Sequence, residues 1–138
     1  GCPGAGAAGG LGARLLFFPA AQLRPVVETV VEAIHIPEAA HKANLAITGE
    51  GSTDFQTAFG KAPVGVAKVA REAGVPVLCL SGSLGKGCDD VLAHGIMGLM
   101  SIIPKPMTLG ECINSAAELV REATARLCRL VAVGKSLS

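Results

Sequence analysis

The stretch Ala46-Ile47-Thr48-Gly49-Glu50-Gly51-Ser52-Thr53-Asp54-Phe55-Gln56 decides how the chain is read. Asn44 to Thr48 has the length and apolar density of a buried strand, and it stops at a carboxylate flanked by two glycines. Gly49 and Gly51 release the backbone for a sharp turn, since a residue without a Cβ adopts either sign of φ. Past that turn, Lys61 opens a segment from Ala62 to Ala73 whose apolar residues recur at helical spacing. Strand, glycine loop and helix in that order belong to an α/β sheet. Polar groups just beyond a strand's carboxyl end occupy the usual ligand position of such sheets.

Downstream, the pattern repeats. Gly74 is a C-terminal cap for the helix, and Val75 to Leu80 reads as a second strand that delivers Ser81-Gly82-Ser83-Leu84-Gly85-Lys86-Gly87 at its end. A short helix from Cys88 to His94 precedes Gly95, and Ile96 to Ile103 reads as a third strand closed by Pro104-Lys105-Pro106. Apolar runs without alternation, each separated by a helix, predict a parallel sheet of short buried strands with flanking helices. Right-handed crossovers are the expected connections. Thr108-Leu109-Gly110-Glu111 is a capping box for a long helix ending near Gly134, with apolar positions from Cys112 to Leu130. Upstream, Arg24-Pro25 starts a helix carrying Val26, Val27, Val30, Val31 and Ile34, which Pro37 stops, and a polar helical segment from Glu38 to Lys42 leads to the first strand.

Composition narrows the function classes. At 138 residues the chain suits one core, with half of its residues hydrophobic and 17% charged. Glycine makes up 18 of 138, roughly twice the usual share of ~7%, and much of the excess sits in Gly1 to Gly12 and the loops near Gly49 and Gly82. A net charge of +1, no basic block and only four aromatic residues, all Phe, argue against a nucleic-acid partner. The apolar run Leu11 to Ala21 is interrupted by Gly12, Arg14 and Pro19, so it predicts no membrane span, and no signal-peptide pattern is present. Five widely spaced cysteines without a C-x-x-C pair predict neither a disulfide framework nor a zinc site, and fit a reducing cytoplasm. His35, His41 and His94 form no metal-binding pattern.

Three strand ends carry the candidate chemistry, Gly49 to Gln56, Ser81 to Gly87 and Pro104 to Pro106, and parallel strands would bring them to one edge. Phosphate handling requires turned backbone amides, a cation, and a carboxylate for metal or proton. Gly49, Gly51, Lys61, Glu50 and Asp54 supply those groups. Two plainer readings stand beside this one: Asp54 as a helix cap and Lys61 as a solvated cation at a helix start. At the start, Gly4-Ala5-Gly6-Ala7-Ala8-Gly9-Gly10 spells G-x-G-x-x-G with Glu28 about nineteen residues on, the outline of a dinucleotide fingerprint. The strand that this fingerprint needs has only Gly1 to Pro3 to form from, and small residues packed against a helix would look the same. Gly60-Lys61-Ala62 and Gly85-Lys86-Gly87 do not complete a Walker A loop, and no G-x-S-x-G elbow exists.

Taken together, the G-A-G-A-A-G-G-L-G opening, I-T-G-E-G with Asp54 and Gln56-Thr57, G-K-A-P-V-G-V-A from Gly60 to Ala67, and Ser81-Gly82-Ser83-Leu84 resemble the bacterial glycerate kinase family. The resemblance covers nearly the whole chain and corresponds to about the C-terminal third of a family enzyme. It implies ATP- and Mg-dependent phosphorylation of glycerate, favouring the 2-hydroxyl, by a cytoplasmic two-domain enzyme with the site between domains. On that implication residues 1–43 close an inserted second domain, residues 44–138 return to the main α/β domain, and the remainder of the enzyme is the partner. Asp54 is then metal ligand or general base, with Lys61 and Glu50 as its catalytic neighbours. Gly49, Gly51, Ser52, Gln56, Gly6, Gly9, Gly10, Ser81, Gly82 and Ser83 are the substrate- or phosphate-binding candidates. Ser52 departs from the family, which usually carries Arg after G-E-G, and a neutral hydroxyl cannot replace a bidentate cation. Two other readings are a non-catalytic nucleotide- or dinucleotide-binding module and a structural remnant without a ligand.

Overall fold

The computed structural model describes residues 26–138. The glycine-rich opening with Gly6, Gly9 and Gly10, and the Arg24-Pro25 helix start, lie outside the described residues. Helix α1 (Val26–Ala33) is followed by α2 (Ile36–Ala40), with His35 between them in the left-handed conformation at φ 58°. Pro37 therefore does not end the first helix. It occupies the first turn of α2, where an absent N–H leaves no intrahelical bond unmade.

Three strands, β1 (Ala46–Thr53), β2 (Val77–Leu84) and β3 (Gly98–Ser101), form a parallel sheet in the order β1-β2-β3. The parallel arrangement matches the sequence reading, but the strand limits differ. β1 and β2 pair from Ala46 with Val77 to Thr53 with Leu84, well beyond their apolar runs. Gly49 and Gly51 thus lie inside a strand, and the sharp turn assigned to them does not occur. Their neighbourhood explains the glycines in another way. A Cβ on Gly49 would overlap the carbonyl oxygen of Leu80, and a Cβ on Gly82 would overlap that of Gly51. β3 is shorter than expected because burial and pairing are different things: Ile96 and Ile102 are buried yet lie outside the paired residues.

Helix α3 (Ala62–Glu72) connects β1 to β2, and a 3-10 helix (Cys88–His94) connects β2 to β3. Strands laid down in sequence order by crossovers of one hand put both connections on the same face. α3 and the 3-10 helix do touch, and around them Ala67, Ala70, Val77, Cys79, Val91 and Ile96 form one core. Gly74 ends this connection at φ +72°, as a cap should. α1 and α2 rest on α3, burying Val31 and Ala40. Glu28, the acidic residue of the dinucleotide outline, is paired at 2.9 Å with Lys68 Nζ, whose pKa it raises.

The opposite face is covered by α5 (Ala116–Ser136), which follows the short α4 (Leu109–Asn114). Leu119, Ala123 and Leu127, spaced one turn apart, pack on Leu80 and Ile102. The expected capping box forms, with Thr108 Oγ1 accepting from Glu111 N at 3.2 Å and Glu111 Oε2 accepting from Thr108 N at 2.8 Å. The single helix expected from it is divided at Ser115, where φ is −107° and ψ 13°, and its second part runs past Gly134 to Ser136. The expected core stripe is also narrower, since Ile113, Val120 and Leu130 are exposed among the described residues. β2 is covered on both faces, whereas among the described residues β1 is an edge strand with Ile47 40% exposed. No helix among the described residues is long and apolar enough to cross a membrane.

The close approach at Gly82 predicts a contrast measurable by thermal and urea unfolding of the full-length enzyme. Gly82→Ala should cost about 1–3 kcal/mol, because the neighbouring strand must move. Gly110→Ala, in α4 with nothing within 4 Å of the added methyl, should be neutral or slightly stabilising.

Candidate functional site

At the carboxyl edge of the sheet Glu50, Ser81 and Ser101 stand in one row across the three strands. Side chains of paired residues share a face, and period two places this row on the α3 side with Val77 and Cys79. Ser101 is committed to the backbone: its Oγ donates to Gly82 O at 3.2 Å and accepts from Ile103 N at 3.1 Å. Glu50 is held from its own strand and from the following helix. Its Oε1 accepts from Thr53 Oγ1 at 3.0 Å and from Thr57 Oγ1 at 2.6 Å. Thr53 Oγ1 also lies 2.5 Å from Ser81 Oγ, which is 3.5 Å from Cys79 Sγ. Thr53, Thr57 and Ser81 are buried, and no buried side-chain N or O among the described residues lacks a partner.

Beyond β1 the two strand-end loops are laced together by Gly85 N donating to Thr53 O at 2.7 Å and Phe55 N donating to Lys86 O at 3.1 Å. Asp54, in extended conformation, caps a 3-10 helix (Phe55–Phe59), its Oδ1 accepting from Gln56 N at 2.8 Å. The capping reading of Asp54 is thus correct: its side chain also accepts from the backbone N–H of Thr57, the third residue of that helix. Gly60, at φ +94°, then reverses the chain so that Lys61 caps α3 beside Asp54. Lys61 Nζ stands 3.7 Å from Asp54 Oδ1, with the Lys61 side chain 42% and the Asp54 side chain 31% exposed. A pair this open contributes at most about 1 kcal/mol to stability. Its geometry offers a fixed negative group and a mobile positive one to the same solvent-facing space.

The sheet therefore gathers the predicted residues Glu50, Asp54, Lys61, Ser52, Gln56, Ser81 and Ser83 with Gly49, Gly51 and Gly82 at the ends of β1 and β2. Ser52, where the family resemblance leads one to expect Arg, accepts at 2.9 Å from Ser83 Oγ across the strands, and both are exposed. Gln56 contributes its backbone N–H to Asp54. Thr53 and Thr57 were not legible as site residues. Their only signal is spacing, three and seven residues after Glu50, which acquires meaning once a strand and a helical turn fold back on that carboxylate.

A family model described as the glycerate kinase family matches residues 1–132. This chain belongs to the glycerate kinase family. A glycerate kinase of Halalkalibacterium halodurans is 45% identical over 134 residues, covering 97% of this chain and 35% of the relative. The Escherichia coli K12 glycerate 2-kinase is 39% identical over 132 residues, 96% of this chain and 35% of that protein. Among solved structures, a Salmonella typhimurium LT2 protein assigned as glycerate kinase 2 superposes with a TM-score of 0.70 at 37% identity, over 98% of this chain and 33% of that one. The chain spans about a third of the length of the curated relatives it matches.

The buried hydroxyls predict a stability effect. Thr53→Val in the full-length enzyme should cost about 1–3 kcal/mol, because Ser81 and Glu50 each lose a partner inside the fold. Ser52→Ala, on the exposed strand end, should stay within about 0.5 kcal/mol in the same denaturation experiment.

Proposed function

We propose that this chain is the part of a cytoplasmic kinase that carries the acid–base side of phosphoryl transfer from ATP to glycerate, favouring the 2-hydroxyl. The observation that carries the reading is Asp54, a carboxylate fixed by Gln56 N, facing Lys61 and 31% exposed at the carboxyl edge of a parallel sheet. A carboxylate so held accepts a proton from an attacking hydroxyl without having to be ordered first. Lys61, on a flexible stem, balances charge on a phosphate. Ser52 and Ser83, exposed at the strand ends, with the backbone around Gly49, Gly51 and Gly82, line the approach, while Ser81 is buried beneath them and bonded to Thr53. Family membership and the names of the relatives support ATP as phosphoryl donor and glycerate as acceptor.

Among the described residues no three His, Cys, Asp or Glu side chains converge, so an all-protein metal cage does not fit. Mg is held in kinases by one or two carboxylates together with substrate phosphates. In its alternative role as metal ligand Asp54 fits that lesser demand and would hold the ion, which when bound would neutralise charge on the phosphate oxygens. The rest of the enzyme supplies the remainder of the site, and residues 1–43 close its inserted second domain. The exposed Ile47, Val120 and Leu130 suit contact with that remainder better than contact with water.

Asp54→Asn in the full-length enzyme isolates the charge, because Asn still accepts the Gln56 N–H and is an equally good cap. ADP formation with glycerate should fall in kcat by about 10²- to 10⁴-fold, with the melting temperature nearly unchanged. An unchanged kcat would reduce Asp54 to a cap. Thermal stabilisation of the wild type by ATP without glycerate-dependent ADP formation would favour a binding module instead.

A further inference from the structure

Thr57 makes two side-chain hydrogen bonds that join the Glu50 carboxylate to the Asp54 backbone. Its Oγ1 donates to Glu50 Oε1 at 2.6 Å and accepts from Asp54 N at 3.2 Å. A hydroxyl has one proton and spare lone pairs, so both bonds form at once and their direction is set. A carboxylate accepts only, which forces Thr57 to point its proton at Glu50 and its lone pair at the Asp54 N–H. The same logic runs through Thr53, whose proton goes to Glu50 and whose lone pair then receives Ser81 Oγ–H. Glu50 thus orients a chain of dipoles through the edge of the sheet. In a capping box the third helical residue is ordinarily Glu or Gln reaching back to the cap. Thr57 takes that place here with a shorter arm, and keeps a donor for a partner outside the helix.

Taking the kinase reading above as its basis, we infer that Thr57 is a positioning residue for the reaction: it fixes the Asp54 backbone, and hence the Asp54 carboxylate, against Glu50. Thr57 is fully buried and cannot itself meet a substrate. Glu50 is then the anchor of the Asp54 loop through Oε1, a different role from that of a group attacking or protonating substrate. Rate is sensitive to such positioning, since a displacement of about 1 Å at the reacting groups costs on the order of 10²-fold. Loss of the link should therefore appear in kcat and leave glycerate binding nearly as it was.

The test uses full-length enzyme and steady-state ADP formation with glycerate, alongside thermal melts. Thr57→Val, which keeps the shape and removes both bonds, should lower kcat about 10- to 100-fold, with the glycerate KM within about threefold. Thr57→Ser should restore kcat to within about threefold of wild type, because it retains the hydroxyl. If Thr57→Val does not fold, Thr57→Cys, a weak donor of similar size, must show the loss of kcat. A folded Thr57→Val or Thr57→Cys enzyme with unchanged kcat and a lowered melting temperature would overturn the positioning role, as would failure of Thr57→Ser to restore activity. A wild-type enzyme that forms no ADP with glycerate would overturn the kinase reading, and the positioning role with it. An active wild type with an indifferent position 57 overturns only the inference.

Discussion

The approach of β1 to β2 through Gly49, Gly51 and Gly82 is the constraint on which the site depends. Parallel strands hold each other by evenly spaced backbone bonds, and here those bonds continue to Thr53 and Leu84, past the last apolar residue of either core run. Because pairing persists to Thr53, the polar residues of the strand ends are held on the ladder rather than in a free loop, although alternation breaks after Glu50, since Thr53 faces the same side and reaches Ser81 Oγ. Glu50 consequently faces the α3 side of the sheet beside Ser81, and Asp54 leaves the last rung with its direction already set. A side chain larger than hydrogen at Gly82 would meet the Gly51 carbonyl and disturb this end of the ladder.

Partial burial of the Glu50 carboxylate beside this ladder is compensated locally. Glu50 receives two hydroxyl protons, and the buried threonines that give them find their own partners in Ser81 and the Asp54 N–H. Such a network is rigid because every member has a defined direction, and the cost of breaking it is that a buried group goes unpaired. The outer pair is built on the opposite principle. Asp54 and Lys61 stay partly open and are worth little to stability, which leaves them available to a ligand. Rigid support beneath an open polar pair is the arrangement that positions a reacting group while leaving it accessible.

The parallel α/β class, the order of elements, the α5 core positions Leu119, Ala123 and Leu127, the Thr108–Glu111 capping box and the cap at Gly74 were legible in the sequence. Each rests on a local regularity: hydrophobic period, a cap at fixed spacing, or a left-handed residue after a helix. The collection of Glu50, Asp54 and Lys61 at one sheet edge was legible too, because all three lie at the end of one strand and in the short connection that follows it. What tertiary structure alone decided was how those residues are held. Glycine between a strand and a polar run reads as a turn, and only the neighbouring strand shows that Gly49 and Gly82 are empty to admit a carbonyl. Likewise Pro37 reads as a stop until it proves to lie in the first turn of a second helix, and Ile47 reads as core until β1 proves to be an edge among the described residues. Thr53 and Thr57 carry no pattern of their own, since a hydroxyl's partner is chosen by what the fold brings within 3 Å of it, and that is a property of the packed chain.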